Sequence, residues 1–371
     1  MKIMTVIGAR PQFIKAAVIS RAIKEYNIGK EPEIEEYILH TGQHYDENMN
    51  NIFLDELDIK KPDRQLHCGG TADRNVMLAE MLAGIGKALL EYRPDGVLVY
   101  GDTTSTLAGA LAASQLHMPV FHVEAGLRSF NKHMPEEINR ILTDHIASLL
   151  FCPTRKAIEN LVKEGITEGM FYTGDVMYDA ALTFGEIAET KSGILSSLAL
   201  QPGKFRLCTV HRAENTDNPE RLIQIILALL EIATSDCPVI FPLHPRTKVY
   251  VDNYNLRTTI ATNEALRMIE PVGYTDMIML EKNAKTILTD SGGIQKEAYF
   301  HRTPCITLRN ETEWSETVEA GWNRIAGFNM EKIIECLAEN PERTEIKEYG
   351  DGHAAEKIIN AIVRCFEAGL C

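Results

Sequence analysis

Short apolar runs alternate with longer stretches whose apolar positions recur at a helical period, and this alternation continues along nearly the whole chain. Residues 2–7 form the first run and predict a strand. Gly8-Ala9-Arg10-Pro11 then leads into a helical pattern carried by Ile14, Ala17, Val18 and Ala22, with Pro11 suited to the first turn. Ile34–His40 predicts a second strand, ending in Thr41-Gly42-Gln43-His44. Thr71–Tyr92 predicts a long amphipathic helix opened by a capping Thr. Val97–Tyr100, Val120–Val123 and Leu150–Cys152 predict further core strands. The Ala- and Gly-rich Leu107–Gln115 predicts a helix packed closely on the sheet.

Phe171-Tyr172-Thr173 closes this series, and a second one begins at the strand Phe205–Val210. A helix from Pro219 to Ala233 follows, then strands at Val239–Leu243, Met268–Val272, Thr286–Thr289 and Cys305–Leu308. The last helix, Ala354 to Phe366, is amphipathic. Two βα series of similar length predict an α/β fold of two doubly wound, Rossmann-like domains, residues 1–172 and 173–353. Each domain would offer its strand carboxyl ends to a shared cleft.

Composition narrows the partners. The 371 residues are 45% hydrophobic and 24% charged, as in soluble globular proteins. A net charge of −14 argues against nucleic acid and anionic membranes, though not against an anionic ligand in a locally positive pocket. The chain opens on a strand rather than a signal peptide, and no apolar run approaches the roughly 18 residues of a membrane span. The eight cysteines include no C-x-x-C pair and read as free thiols in a reducing cytoplasm, with no disulfide expected.

The unusual residues cluster just after predicted strands. Ser291, Gly292 and Gly293 open a helix whose exposed N–H groups and dipole suit a phosphate. Glu297, one to two turns further on, could accept bonds from ribose hydroxyls. The plain alternative is an ordinary strand-to-helix turn with a surface Glu. The turn after the first strand has a single glycine, so the G-x-G-x-x-G fingerprint is absent and NAD binding loses its main support. Arg10 and Lys15 could neutralise a diphosphate there, or Lys15 could simply be a solvated helix residue. Asp102 reads either as the N-cap of the following helix or as a functional carboxylate. Glu124 directly follows a core strand, where packing does not explain a carboxylate. Glu136 and Glu137 follow Pro135 and complement a helix dipole. His211, His244 and Glu313 also follow strand ends. Acids beside a nucleotide diphosphate suggest acid/base work on the group it carries. No metal is expected: there is no H-E-x-x-H, and His40 and His44 are separated by Gly42 at a strand end.

Five ordered segments carry a family resemblance. They are Ile7–Pro11, Gly101–Ala108, His122–Arg128, Pro135–Arg140 and Leu288–Ala298. The chain resembles the non-hydrolysing UDP-N-acetylglucosamine 2-epimerases from residue 2 to about residue 355. The resemblance implies a two-domain fold of the glycosyltransferase-B type, with the C-terminal helix (354–371) crossing back onto the first domain. It also implies a homodimer, a UDP-sugar substrate and no redox cofactor. Asp102, Glu124 and Glu136 become candidate acid/base carboxylates, and His211 a further catalytic candidate. Arg10, Lys15 and the N–H groups around Ser291–Gly293 would hold the diphosphate. Glu297 would hold the ribose, Tyr274 would lie against the uracil, and His244 and Glu313 complete the substrate-binding set. Several positions depart from the usual pattern. Gln12 stands where Glu commonly follows the Pro, Ala213 where a second Arg is common, and Trp314 where Arg-Pro often follows the Glu. These variants are similar to a sister group acting on UDP-2,3-diacetamido-2,3-dideoxyglucuronate. That substrate would need an extra cation, with Arg309, Arg246 and Lys132 as sources. Gln43 and His44 match a loop that binds an activating second sugar nucleotide in some members, but Asp46 replaces a usual amide. A hydrolysing relative, a glycosyltransferase and a non-catalytic nucleotide-sugar sensor are the competing readings. The sensor would not need three acids.

Overall fold

The computed structural model describes residues 1–31, 33–43, 60–70 and 73–371, apart from the side chain of Arg10. The chain divides into two compact units, residues 1–183 with 347–371, and residues 184–346. Both are built on all-parallel sheets. The first contains β1 (Lys2–Ile7), β2 (Glu35–His40), β3 (Arg64–Gln65), β4 (Gly96–Tyr100), β5 (Val120–Val123), β6 (Leu149–Cys152) and β7 (Met170–Tyr172), in the order β3-β2-β1-β4-β5-β6-β7. The second contains β8 (Arg206–Thr209), β9 (Val239–Pro242), β10 (Leu266–Ile269), β11 (Thr286–Thr289), β12 (Cys305–Thr307) and β13 (Asn323–Ile325), in the order β10-β9-β8-β11-β12-β13. In each sheet the winding reverses between two neighbours, β1 and β4 or β8 and β11. Open α/β sheets bind ligands beyond the strand carboxyl ends at such a point.

The helices that matter for the site are α1 (Arg10–Tyr26), α2 (Arg74–Tyr92), α3 (Thr104–Gln115), α4 (Pro135–Ile146), α5 (Pro245–Asn253), α6 (Tyr274–Asn283), α7 (Gly292–Phe300) and α8 (Ala354–Glu367). α8 belongs to the first unit and packs on α1, and Phe366 meets Phe121 edge-on at 5.9 Å. Among the described residues, no helix is long and apolar enough to cross a membrane.

Three local expectations need correction. α2 is capped by Asp73, whose carboxylate accepts from the Asn75 and Val76 N–H groups at 2.8 and 3.3 Å; Thr71 lies outside the described residues. β10 stops at Ile269 rather than Val272, because Pro271 has no N–H for the ladder. Cys365 and Cys371 form a disulfide, although no bridge was expected from the spacing of the cysteines. The end of α8 explains it. Gly369 turns left-handed at φ +63° and the Leu370 N–H returns to the Cys365 carbonyl at 3.0 Å. That reversal brings the two Cα atoms to 5.5 Å, so the cysteine pattern no longer argues for a reducing compartment.

The turns after β1 and β4 are tied together by Gln12, which is 1% exposed. Its Oε1 accepts from the Gly8 and Ala9 N–H groups at 2.8 and 3.0 Å. Its Nε2 donates to the Tyr100 carbonyl at 2.9 Å and lies 3.0 Å from the hydroxyls of Thr103 and Thr106. An amide suits this place because it must both accept and donate; an ionised carboxylate can only accept. Gln12→Glu is therefore expected to destabilise the fold by about 1–3 kcal/mol at neutral pH, through a buried carboxylate facing a carbonyl. The introduced acid would have a raised pKa in the folded state. Its cost should therefore shrink as pH falls toward about 4, which denaturation midpoints measured at both pH values would reveal.

Candidate active site

In the first unit the candidate side chains occupy the turns after β4 and β5 and the facing parts of α1 and α4. Glu124 leaves β5 in the left-handed conformation, φ +71°. That costs a non-glycine residue roughly 1–3 kcal/mol and persists only where the surroundings impose it. Its carboxylate is ion-paired with Lys15 of α1, and the two side chains are only 13% and 8% exposed. Lys15 is thus a buried partner of Glu124, not a solvated helix residue. The side chain of Arg10 lies outside the described residues.

Asp102 follows Gly101, another left-handed residue at φ +64°. It is not the helix cap: Thr103 caps α3, its hydroxyl accepting from the Thr106 N–H at 3.3 Å. The Asp102 carboxylate is instead ion-paired with Arg140 of α4, and remains 33% exposed. Its carbonyl accepts from the Asn139 amide at 2.8 Å. Burial alone would weaken the Arg140 charge. Asp102, Glu137 and Glu124 together overcome this and raise its pKa, so Arg140 stands in the field of both Asp102 and Glu124.

The adjacent acids of α4 have different environments. Glu137 is 1% exposed and accepts from the Ser129 N–H and hydroxyl, both at 2.9 Å, and from the Phe130 N–H at 2.8 Å. Burial works against its charge, but these donors and Arg140 outweigh it and hold the carboxyl below the usual range. Glu137 thereby fixes the loop between β5 and α4. Glu136, beside it in the helix's first turn, is exposed.

In the second unit, Ser291 caps α7, and Gly292 and Gly293 are its first two residues. A Cβ on Gly292 would lie 3.5 Å from both the Glu313 carboxylate and the Trp314 indole nitrogen, so these side chains line that helix start. Lys296 sits over the Trp314 ring at 4.1 Å. Glu297 is half-buried on the next turn. His211 stacks against His244 with ring centres 5.3 Å apart, and His244 caps α5 by accepting from the Arg246 N–H at 3.1 Å. Burial pushes the His211 pKa down; Asp290 opposes this, and Arg212 adds to it.

Asp290 was passed over in favour of the serine and glycines that follow it. It is fully buried and gathers the loop after β8. Its carboxylate accepts from the N–H groups of His211 and Arg212, each at 3.0 Å, and from the Asn215 amide at 3.1 Å. Its placement between an apolar strand and a helix cap was the available signal.

Other expected positions are occupied differently. Tyr274 is a core residue, 4% exposed, with its ring edge-on to Phe184 at 5.8 Å. Arg309 donates to both Glu313 oxygens at 3.0 Å and pairs with Glu214 at 3.3 Å. Arg246 pairs with Asp217 at 2.6 Å, while Lys132 is exposed. His44 and Asp46 lie outside the described residues, whereas Gln43 accepts from the Ser105 N–H at 3.0 Å. His40 is buried against Phe13, and burial, with His67 adding to it, pushes its pKa down to about 4. No group of three or more metal-binding side chains is found among the described residues.

The family model for UDP-N-acetylglucosamine 2-epimerase matches residues 26–363. A UDP-N-acetylglucosamine 2-epimerase homolog of Methanococcus maripaludis is 51% identical over 365 residues, 98% of this chain and 99% of its own. The UDP-2,3-diacetamido-2,3-dideoxy-D-glucuronate 2-epimerase of Pseudomonas aeruginosa is 48% identical over 371 residues, 98% of this chain and 100% of its own. The crystal structure of Methanocaldococcus jannaschii UDP-GlcNAc 2-epimerase in complex with UDP-GlcNAc and UDP matches with a TM-score of 0.85 at 44% identity, covering 98% of this chain and 100% of that one. With its two doubly wound units and acid-lined strand ends, the chain belongs to the UDP-N-acetylglucosamine 2-epimerase family of sugar-nucleotide isomerases.

Proposed function

We propose that this enzyme interconverts UDP-N-acetylglucosamine and UDP-N-acetylmannosamine without net hydrolysis. The observation that carries the reading is a pair of carboxylates on neighbouring turns, Asp102 and Glu124, each held at rest by a cation. The sugar's C2 proton is not next to a carbonyl, so direct removal is very difficult. A base instead takes this proton while the C1–O bond breaks and UDP leaves, giving a 2-acetamidoglucal. UDP then adds back as C2 is protonated on the opposite face. Two carboxylates on adjacent turns supply the proton acceptor and donor that such a sequence needs. Asp102, Glu124 and the exposed Glu136 are the acid/base set. For the diphosphate the candidates are Arg10 and Lys15 in the first unit and, in the second, the start of α7 with His211; Glu297 is the candidate ribose contact. A cytoplasmic homodimer feeding surface polysaccharide synthesis rests on the family resemblance alone.

A second reading keeps the chemistry and changes the sugar. The 48% identity to the diacetamido-glucuronate enzyme favours it, together with Gln12, Ala213 and Trp314. Arg309 and Arg246 are both engaged by carboxylates, so Lys132 on the exposed stretch before α4 is the better source of a cation for a uronate.

NMR in D2O tests both readings. The first predicts deuterium at C2 and a manno product still joined to UDP. Stoichiometric release of UDP and free sugar would replace epimerisation with hydrolysis. Exchange with the diacetamido-uronate but not with UDP-N-acetylglucosamine would select the second sugar. Glu124→Gln should slow C2 exchange by about 10²–10⁴-fold while leaving UDP affinity within a few-fold. Exchange at the native rate would remove Glu124 from the acid/base set.

His211 gives a separate check. Its depressed pKa means that protonation opposes the folded arrangement, so this contribution is present at neutral pH and lost as pH falls below about 6.5. An NMR titration should place its midpoint below that of a free imidazole. A midpoint at or above that value would contradict the burial of the ring.

A further inference from the structure

A buried pair behind the acid/base carboxylates has no part in the proposed chemistry. His122 lies within β5 and Asp144 within α4; they are 0% and 1% exposed. The His122 Nε2 is 2.7 Å from the Gly101 carbonyl, which can only accept, so this nitrogen carries a hydrogen and donates it. The Nδ1 is 2.7 Å from an Asp144 oxygen. Two lone pairs facing each other at that distance would repel, so a proton lies between them. The other Asp144 oxygen accepts from the Gly126 N–H at 3.1 Å and from Arg128 at 2.6 Å. Arg128 is in turn held by Glu164 through two bonds of 2.7 Å. Burial pushes the Asp144 carboxyl up, but His122 and Arg128 outweigh it and leave it below the usual carboxylate range. Arg128 and the Cys152 thiol face Asp144, with Glu164 and His145 beyond Arg128.

The two backbone groups held here adjoin the acids. Gly101 immediately precedes Asp102, and its carbonyl is anchored by His122. Gly126 lies two residues after Glu124, and its N–H is anchored by Asp144. Glu124 is left-handed at φ +71°, an unfavoured conformation for a residue with a Cβ that needs such anchors, whereas Gly101 and Gly126, at φ +64° and +79°, adopt theirs without steric cost.

We infer that Asp144, acting through a proton shared with His122, is a positioning residue that sets the spacing of the Asp102 and Glu124 carboxylates. This rests on the epimerase reading given above. Small displacements of reacting groups are costly: about 1 Å can reduce a rate 10²-fold.

Asp144→Asn is the main test, because an amide can donate to Nδ1 and still accept from Gly126 and Arg128. It preserves the shape and removes the shared proton. The expected result is a kcat lower by about tenfold or more, with KM for the sugar nucleotide and Kd for UDP within about twofold of native. His122→Gln, which keeps a donor for the Gly101 carbonyl, should give the same split. Nitrogen-15 NMR of the unaltered protein should show a hydrogen on both His122 ring nitrogens, as the two contacts require. A native kcat in both variants, or a singly protonated His122 in the unaltered protein, would overturn the inference. Absence of C2 exchange in the unaltered enzyme with either sugar nucleotide would instead sink the epimerase reading. The NMR result on His122 stands apart from activity.

Discussion

A carboxylate taken out of water must be surrounded by donors, because an unpaired buried charge costs several kcal/mol. Asp144 in the first unit and Asp290 in the second meet this demand in the same way. Each recruits backbone N–H groups from a loop that would otherwise have no fixed shape, Asp144 from Gly126 and Asp290 from His211 and Arg212. Each then adds side-chain donors to complete its shell. The loops that carry functional residues are therefore shaped from within, by charges that solvent hardly reaches. Their geometry is a by-product of satisfying those charges.

The outer layer of charges follows a looser rule. Glu124 and Asp102 are paired with Lys15 and Arg140, yet both pairs keep some exposure. A pair at this depth is worth less than a fully enclosed one and is easier to exchange for a ligand. Glu137 shows the contrast within one helix turn, with its neighbour left to solvent and Glu137 itself spent on holding the loop. Rigid inner carboxylates and exchangeable outer ones form a sensible division for a site that must release and recapture a charged group.

Strand and helix order was readable from the chain because parallel strands buried on both faces appear as unbroken apolar runs. Capping was harder. Thr103 and Asp102 both suit a cap, and only the location of Arg140, far away in sequence, takes Asp102 for an ion pair. Lys15 looked like a surface residue because its burial depends on Glu124, more than 100 residues on. The enclosure of Tyr274 against Phe184 was not readable either, since aromatic character does not reveal which side of a helix start it faces. Asp144 left no local mark, but His122 did: a histidine inside an otherwise apolar strand needs a hydrogen-bond partner at each nitrogen. The motifs marked the candidate residues, and the pairing of charges among them depended on contacts between distant segments.

The first unit is discontinuous, with the second inserted between its main body and α8. The ribosome therefore makes all of the second unit before it makes the helix that covers α1. During synthesis, the apolar face of α1 and the edge of Phe121 wait uncovered while a complete second sheet can already form. Maturation thus has an imposed order, in which the unit carrying α7 can be finished first and the unit carrying Asp102 and Glu124 is sealed last.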